Sequence, residues 1–238
     1  MINVRLNSPN RSKKLRKPKD IKFLVFHYTG MQSKRASITR LMSLKHKVSC
    51  HYLIDRNGQI IKMVSDLEVA WHAGKSKWKK FTNLNENSIG IELVNRGHDF
   101  GYEKFPKKQI LKLIKISLTL KKKYKIKNSC VLGHSDIAPL RKIDPGEKFP
   151  WDLLSKKNLG LFHKKKDLKF KFTDKNKYRK LFFKNIYKIG YRYFSKNRVS
   201  KYDKFIVEAF QRRYMPSKIT GEIDQKTLKI SHYLAKKL

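Results

Sequence analysis

Residues 22–28, KFLVFHY, are a short apolar run bounded by turn residues, the pattern of a strand buried inside a sheet. On its N-terminal side, residues 1–20 (MINVRLNSPNRSKKLRKPKD) are polar and read as a leader ended by Pro18. On its C-terminal side, Ile38, Leu41, Met42 and Lys45 recur at helical spacing over residues 36–46. CHYLIDRNGQIIKMV (50–64) then gives two β-like runs around Arg56-Asn57-Gly58, a hairpin signal because Asn-Gly tolerates positive φ. SIGIELV (88–94) is a second buried strand. Pro106 opens a helix that QILKLIKISLTLKKKY (109–124) continues with an apolar stripe and a basic face. VLGH (131–134) is a short strand entering a loop with prolines at 139, 145 and 150. The order strand–helix–strand–strand–strand–helix–strand predicts an α/β fold, a mixed central β-sheet flanked by helices, over residues 21–160.

The texture changes after residue 160. HKKKDLKFKF (163–172) is lysine-rich, so residues 161–175 read as a basic linker. Residues 176–195 and 202–214 regain helical periodicity, carried by Leu181, Ile186 and Ile189 and by Phe205, Ile206, Ala209 and Phe210. Ser217–Gly221 make a turn, and Asp224 is placed to cap a last helix running to about Leu234. Residues 176–238 are therefore expected to form a small all-α three-helix domain.

The chain carries 58 Lys and Arg against 18 Asp and Glu, a net charge of +40. Such a surface attracts polyanions, nucleic acid first among them. The charge is spread along the whole chain, however, and most of it is lysine, a solvated point charge without arginine's bidentate fork. No specific nucleic-acid partner is expected on this ground. Cys50 and Cys130 lie in apolar runs and are no disulfide framework. No apolar run reaches the ~18 residues of a membrane span. Residues 1–20 lack an apolar h-region and a small-residue cleavage site, which points to a cytoplasmic protein, or a periplasmic one if export uses another route. A monomer is expected.

Two histidines end strands: His27 before Tyr28-Thr29-Gly30, and His134 after Val131-Leu132-Gly133. Asp144 follows ten residues after His134, in a turn fixed by Pro145 and Gly146. Two histidines and a carboxylate delivered from strand ends form a ligand set for catalytic zinc with a fourth position open. On spacing alone, satisfied interior histidines remain the competing reading. Glu92 is an acid inside an apolar run and needs a partner.

KFLVFHYTG, CHYLIDRNGQI, AWHAG, NENSIGIELVNRG and GHSDIAPLRKIDPGEKFPW occur in that order. Together they resemble the amidase-2 family of N-acetylmuramoyl-L-alanine amidases, most of all its AmpD/AmiD-like bacterial members, over roughly residues 20–160. The resemblance implies the amidase fold shared with phage lysozyme-type enzymes and peptidoglycan recognition proteins. It implies Zn2+ as cofactor, held by His27, His134 and Asp144, and peptidoglycan or muropeptide fragments as partners. By the same resemblance Glu92 is the general base, acting on the water that zinc activates, and Lys142 stabilises the oxyanion. Trp71, His72, Asn95, Arg96 and Arg141 are its candidate substrate contacts, and His51 is an inner, sheet-supporting residue rather than a ligand. Some relatives place a catalytic tyrosine before the HYLI-like histidine, where this chain has Cys50, which favours the subgroup with glutamate as base over a cysteine nucleophile. IYKIGYRY (186–193) and VEAFQRRYMPSKITGEIDQKTL (207–228) resemble the PG-binding type 1 module. A non-catalytic peptidoglycan-recognition protein on the same fold is the alternative function.

Overall fold

The computed structural model describes residues 2, 4–12, 15–164, 168, 170–195 and 197–238. The run at 22–28 becomes β3 (Phe23–Tyr28), preceded by the short strands β1 (Val4–Arg5) and β2 (Arg11–Ser12). Helix α1 (Lys34–Met42) leads to the hairpin β4 (Tyr52–Ile54) and β5 (Ile60–Lys62), then to three short strands, β6 (Val69–Ala70), β7 (Lys77–Trp78) and β8 (Phe81–Thr82). Next come β9 (Ser88–Leu93), α2 (Lys107–Lys123), β10 (Val131–Gly133), the single turn α3 (His134–Ile137) and α4 (Trp151–Lys156). Three further helices close the chain: α5 (Tyr178–Ile189), α6 (Asp203–Tyr214) and α7 (Gln225–Lys236).

Six strands form one mixed sheet in the order β1-β5-β4-β9-β3-β10. Within this sheet β4 and β5 pair antiparallel, through the hairpin predicted at Asn57-Gly58, while β1 runs parallel to β5, and β4, β9, β3 and β10 run parallel to one another. Parallel neighbours need helical crossovers, which α1 and α2 lie in sequence to supply. The alternation of side chains across β3 and β9 divides the core. Leu24 and Phe26 of β3 and Ile89, Ile91 and Leu93 of β9 pack against Ile110, Leu113 and Leu120 of α2. On the opposite face Phe23, Val25 and Leu132 share a core with Phe182, Phe183, Phe210 and Leu228 of the C-terminal helices. No described helix is long and apolar enough to cross a membrane.

Within the polar leader, β1 extends the sheet beside β5, β2 pairs with β6, and Ser8 and Asn10 are fully buried. Ser8 Oγ donates to Leu41 O, and Asn10 Nδ2 to Ser43 O and Val48 O, so polar side chains replace the apolar ones that normally announce a packed strand. Residues 1, 3, 13 and 14 of that leader lie outside the described residues. The C-terminal helices supply a layer of the sheet's own core. Residues 165–167 and 169 of the linker also lie outside the described residues.

Arg16 ties the N-terminal segment to the loops beneath the sheet. Its buried guanidinium donates to Asp66 O, Asn85 O and Glu86 O, and it stands 2.8 Å from His51 Nε2. Burial lowers its pKa to about 10, so it stays charged at neutral pH. Arg16→Met removes these bonds and strands three carbonyls, so the variant should lose ~2–4 kcal/mol of unfolding free energy. Urea denaturation checks this, and an unchanged midpoint and slope would show that the segment contributes nothing to the fold.

Candidate metal centre

Strand register brings the site together. His27 of β3 lies directly beside Glu92 of β9, and His134 begins α3 at the carboxyl end of β10, the next strand over. Ligand sites in parallel sheets form at this end because the strands deliver their loops there together. Asp144 returns to the same place through the loop after α3, where Ser135 N donates to Asp144 O at 2.9 Å. The three side chains are buried. His27 Nδ1 lies 3.0 Å from His134 Nδ1 and 3.0 Å from Asp144 Oδ2, and His134 Nδ1 lies 3.1 Å from Asp144 Oδ2.

The surrounding hydrogen bonds decide which atoms carry protons. Ser88 Oγ gives its one hydrogen to Leu84 O, so it accepts from His72 Nε2 at 3.0 Å. His72 Nδ1 is then an acceptor, 3.0 Å from His27 Nε2, which must donate. His27 Nδ1 is left bare and faces the site. Burial, reinforced by neighbouring histidines, keeps His72 well below its usual range and brings His27 down to about 4, so both are neutral. His134 Nε2 donates to Ala73 O at 3.1 Å, which turns its Nδ1 lone pair inward too. Two imidazole lone pairs and a carboxylate oxygen thus meet with no proton to share. A tetrahedral ion with ~2.0–2.1 Å bonds separates its ligands by ~3.3 Å, close to this spacing. The donor set fits a divalent metal of borderline softness, and His72 and Ser88 orient it from behind.

Gly90 makes this arrangement possible. On the face of β9 toward the site the residues are Ser88, Gly90 and Glu92, and a Cβ at 90 would stand 2.3 Å from His72 Cγ. His51 supports the same strand from behind: its Nδ1 accepts from Gly90 N at 3.0 Å. His51 is therefore no ligand, as its sequence context suggested.

The triad opens into a groove of about 600 Å³ whose walls include Met31, Arg40, Trp71, Phe100, Lys142 and Ile143. Glu92 reaches it from β9; its Oε2 is buried and has no hydrogen-bond partner among the described residues. Burial, and then the nearby Asp144, raise its pKa to about 8 against the pull of Lys142. Cys50 is fully buried with its thiol held far above its usual range by burial and by Glu92, so it is no nucleophile.

The remaining sequence candidates divide. Trp71, His72 and Lys142 line the groove. Arg141 also reaches it, yet its guanidinium is engaged with the carbonyls of Ala73 and Lys75, which fixes the loop carrying His72. Asn95 and Arg96 are not among the groove residues. The Asn95 amide is spent on the turn after β9, donating to Glu103 O and accepting from Gly97 N, and Arg96 is exposed. Met31, Arg40 and Phe100 also line the groove but stand outside the quoted motifs, as ordinary loop and helix residues without a chemical signal of their own.

With this geometry in hand, comparison with known proteins places the chain. Residues 17–147 match the family described as N-acetylmuramoyl-L-alanine amidase. The chain is 33% identical over 234 residues to the N-acetylmuramoyl-L-alanine amidase AmiD of Escherichia coli, covering 91% of this chain and 83% of that one. It is 39% identical over 105 residues to the E. coli 1,6-anhydro-N-acetylmuramyl-L-alanine amidase AmpD, covering 44% of this chain and 55% of AmpD. In structure it is similar to E. coli AmiD in complex with the substrate anhydro-N-acetylmuramic acid-L-Ala-D-gamma-Glu-L-Lys, at 32% identity and a TM-score of 0.81 over 92% of this chain and 90% of that one. It is equally similar to AMPDH3 of Pseudomonas aeruginosa in complex with anhydromuramic pentapeptide, at 29% identity and a TM-score of 0.81 over 95% of both chains. The protein belongs to the amidase-2 family of N-acetylmuramoyl-L-alanine amidases.

Gly90→Ala should push the His72 ring away from His27 and lower the affinity for a divalent metal ~10–100-fold. Chelator competition measures this, and an affinity equal to the native protein's would show that His72 does not orient His27.

Proposed function

We propose that the protein is a zinc-dependent amidase that hydrolyses the amide between (anhydro-)N-acetylmuramic acid and L-alanine in peptidoglycan or muropeptides, in cell-wall turnover and recycling. The observation that carries the proposal is the meeting of three bare donor atoms, His27 Nδ1, His134 Nδ1 and Asp144 Oδ2, within 3.1 Å at the floor of an open groove. The anhydromuramoyl peptides bound by AmiD and AMPDH3 support the substrate class.

Zinc held by these residues supplies Lewis acidity toward the scissile carbonyl and lowers the pKa of a water molecule toward neutrality. Glu92 does the proton work. Its unpartnered Oε2 takes a proton from the attacking water as the oxygen bonds to the carbonyl carbon. The same carboxyl returns that proton to the alanine nitrogen as the C–N bond breaks, leaving a free amine on the peptide and a carboxylic acid on the sugar's lactyl group, which gives its proton to that amine or to water. Burial, and then Asp144, bring the Glu92 carboxyl up to about 8, close enough to neutral pH for a group that both accepts and returns a proton. Lys142, at the groove wall, offers positive charge to the oxyanion. Trp71, Met31, Phe100 and Ile143 give the substrate an apolar bed. The C-terminal helices, through their likeness to a peptidoglycan-binding module, are proposed to add retention on polymeric wall.

Incubation with purified muropeptides and anhydro-muropeptides, followed by mass spectrometry, should show stem peptides that vanish on chelation and return with zinc. Intact substrates with zinc-loaded protein would leave a non-catalytic recognition protein as the function. Glu92→Gln should keep one zinc per chain and lose ~10²–10⁴ in kcat, since a carboxamide cannot take the proton. His134→Ala should lose the zinc itself; normal stoichiometry in that variant, read by elemental analysis, would remove His134 from the ligand set.

A further inference from the structure

Asp136 lies two residues beyond His134, inside α3, and is almost completely buried. Its carboxylate has no apolar role to play there, so its partners should explain it. Oδ2 accepts from Gly133 N at 2.8 Å, which closes the turn of α3. The other two bonds come from outside the amidase domain. Tyr191, just after α5, donates its hydroxyl to Oδ1, and Arg213 of α6 donates Nη1 to Oδ2. Both residues are buried, and Arg213 is an ion-pair partner of Asp136. The same guanidinium reaches back one strand residue further, donating Nη2 to Val131 O of β10 at 3.1 Å. It is held in plane by Trp151, whose ring lies 3.9 Å from the guanidinium carbon.

That tryptophan also bears on the other end of the motif. A Cβ at Gly133 would meet Pro145 Cδ at 2.8 Å and the Trp151 ring at 3.3 Å, so Gly133, Pro145 and Trp151 pack as one wedge. Gly133 precedes His134 and Pro145 follows Asp144. Two of the three donors in the triad therefore hang from a corner gripped by Arg213 and Tyr191.

The geometry points to Arg213 and Tyr191 as positioning residues for the metal site: through Asp136 and Val131 the C-terminal helices set the β10–α3 corner, and with it the distance of His134 from His27 and Asp144. The assignment rests on the reading of the triad as a zinc site. It gives the C-terminal helices a part in metal binding that is separate from any contact with the cell wall. Outer partners of metal ligands change affinity ~10–100-fold when lost, and Asp136 is one step further out, so the lower end of that range applies.

The test uses the full-length protein as Tyr191→Phe and Arg213→Met, with native protein and His134→Ala as references. Zinc affinity is measured by chelator competition, and the visible absorption of the cobalt-substituted forms reports ligand geometry. Unfolding curves identify which variants keep a cooperative fold. Tyr191→Phe removes a single hydroxyl, so it decides the matter if Arg213→Met does not fold. Folded variants should bind zinc roughly 10-fold more weakly, with an altered cobalt spectrum. Native affinity and an unchanged spectrum in a folded variant would overturn the assignment and leave the helices as a cap on the sheet. A native protein that binds no stoichiometric zinc would overturn the metal reading itself, and this assignment with it. The two failures are thereby distinct.

Discussion

Three acceptor atoms within 3.1 Å of one another repel, and the protein has to hold them there by force applied from outside the site. Each donor has its own restraint. His27 is held by a relay through His72 and Ser88 to Leu84 O, His134 by Ala73 O, and Asp144 by the backbone bond from Ser135. No hydrogen stands between the three atoms to pair them, and this is why the arrangement reads as a metal site and not as a buried polar network. A network built for stability would pair donors with acceptors.

The sheet bears the consequences of that constraint. One face of β3 and β9 is uniformly apolar and packs on α2. The other begins in the same way, with Phe23 and Val25 in the core shared with the C-terminal helices, but gives way to His27 on β3 and to Ser88, Gly90 and Glu92 on β9. The fold accepts three polar residues and a glycine in the middle of a buried strand pair because each is spent on the site. Ser88 fixes a tautomer, Gly90 makes room for the His72 ring, and Glu92 brings its carboxyl to the groove. An imidazole standing where a strand side chain would pack is the physical reason that β9 needs its glycine.

Much of this was legible in the sequence. The strands at 22–28, 88–94 and 131–134, the Asn-Gly hairpin, the helix opened by Pro106 and the Asp224 cap all form where local signals put them, because strand burial, turn chemistry and capping are short-range effects. His27, His134 and Asp144 converge because strand ends converge. The structure differs wherever the deciding interaction is long-range or carried by polar groups. Residues 4–12, 15 and 16 pack through Ser8, Asn10 and Arg16, which carry no hydrophobic pattern at all. Asn95 and Arg141 have the right chemistry for a ligand, yet their side chains are spent on backbone groups that composition does not reveal. The docked helices bring Arg213 to Asp136, a pairing across 77 residues that helical periodicity cannot report. Periodicity shows that a helix has a buried face, and says nothing about what buries it.

That pairing also bears on why a buried ion pair should stand at a joint between two layers. Apolar residues of similar volume would hold the layers at least as firmly, since desolvation consumes most of what an ion pair gains. Apolar contact is tolerant of small slides and rotations, however, whereas a carboxylate that must receive Gly133 N, Tyr191 and Arg213 at once has one position. At most places in the core such definition serves nothing. Here the carboxylate sits on the same helical turn as His134, and a slide of the helices along the sheet would be transmitted to a donor set only 3 Å across. The AmpD match reaches 44% of this chain against 91% for AmiD. In this chain Phe23, Val25 and Leu132 depend on the helical layer for cover, and the β10–α3 corner depends on it for its place.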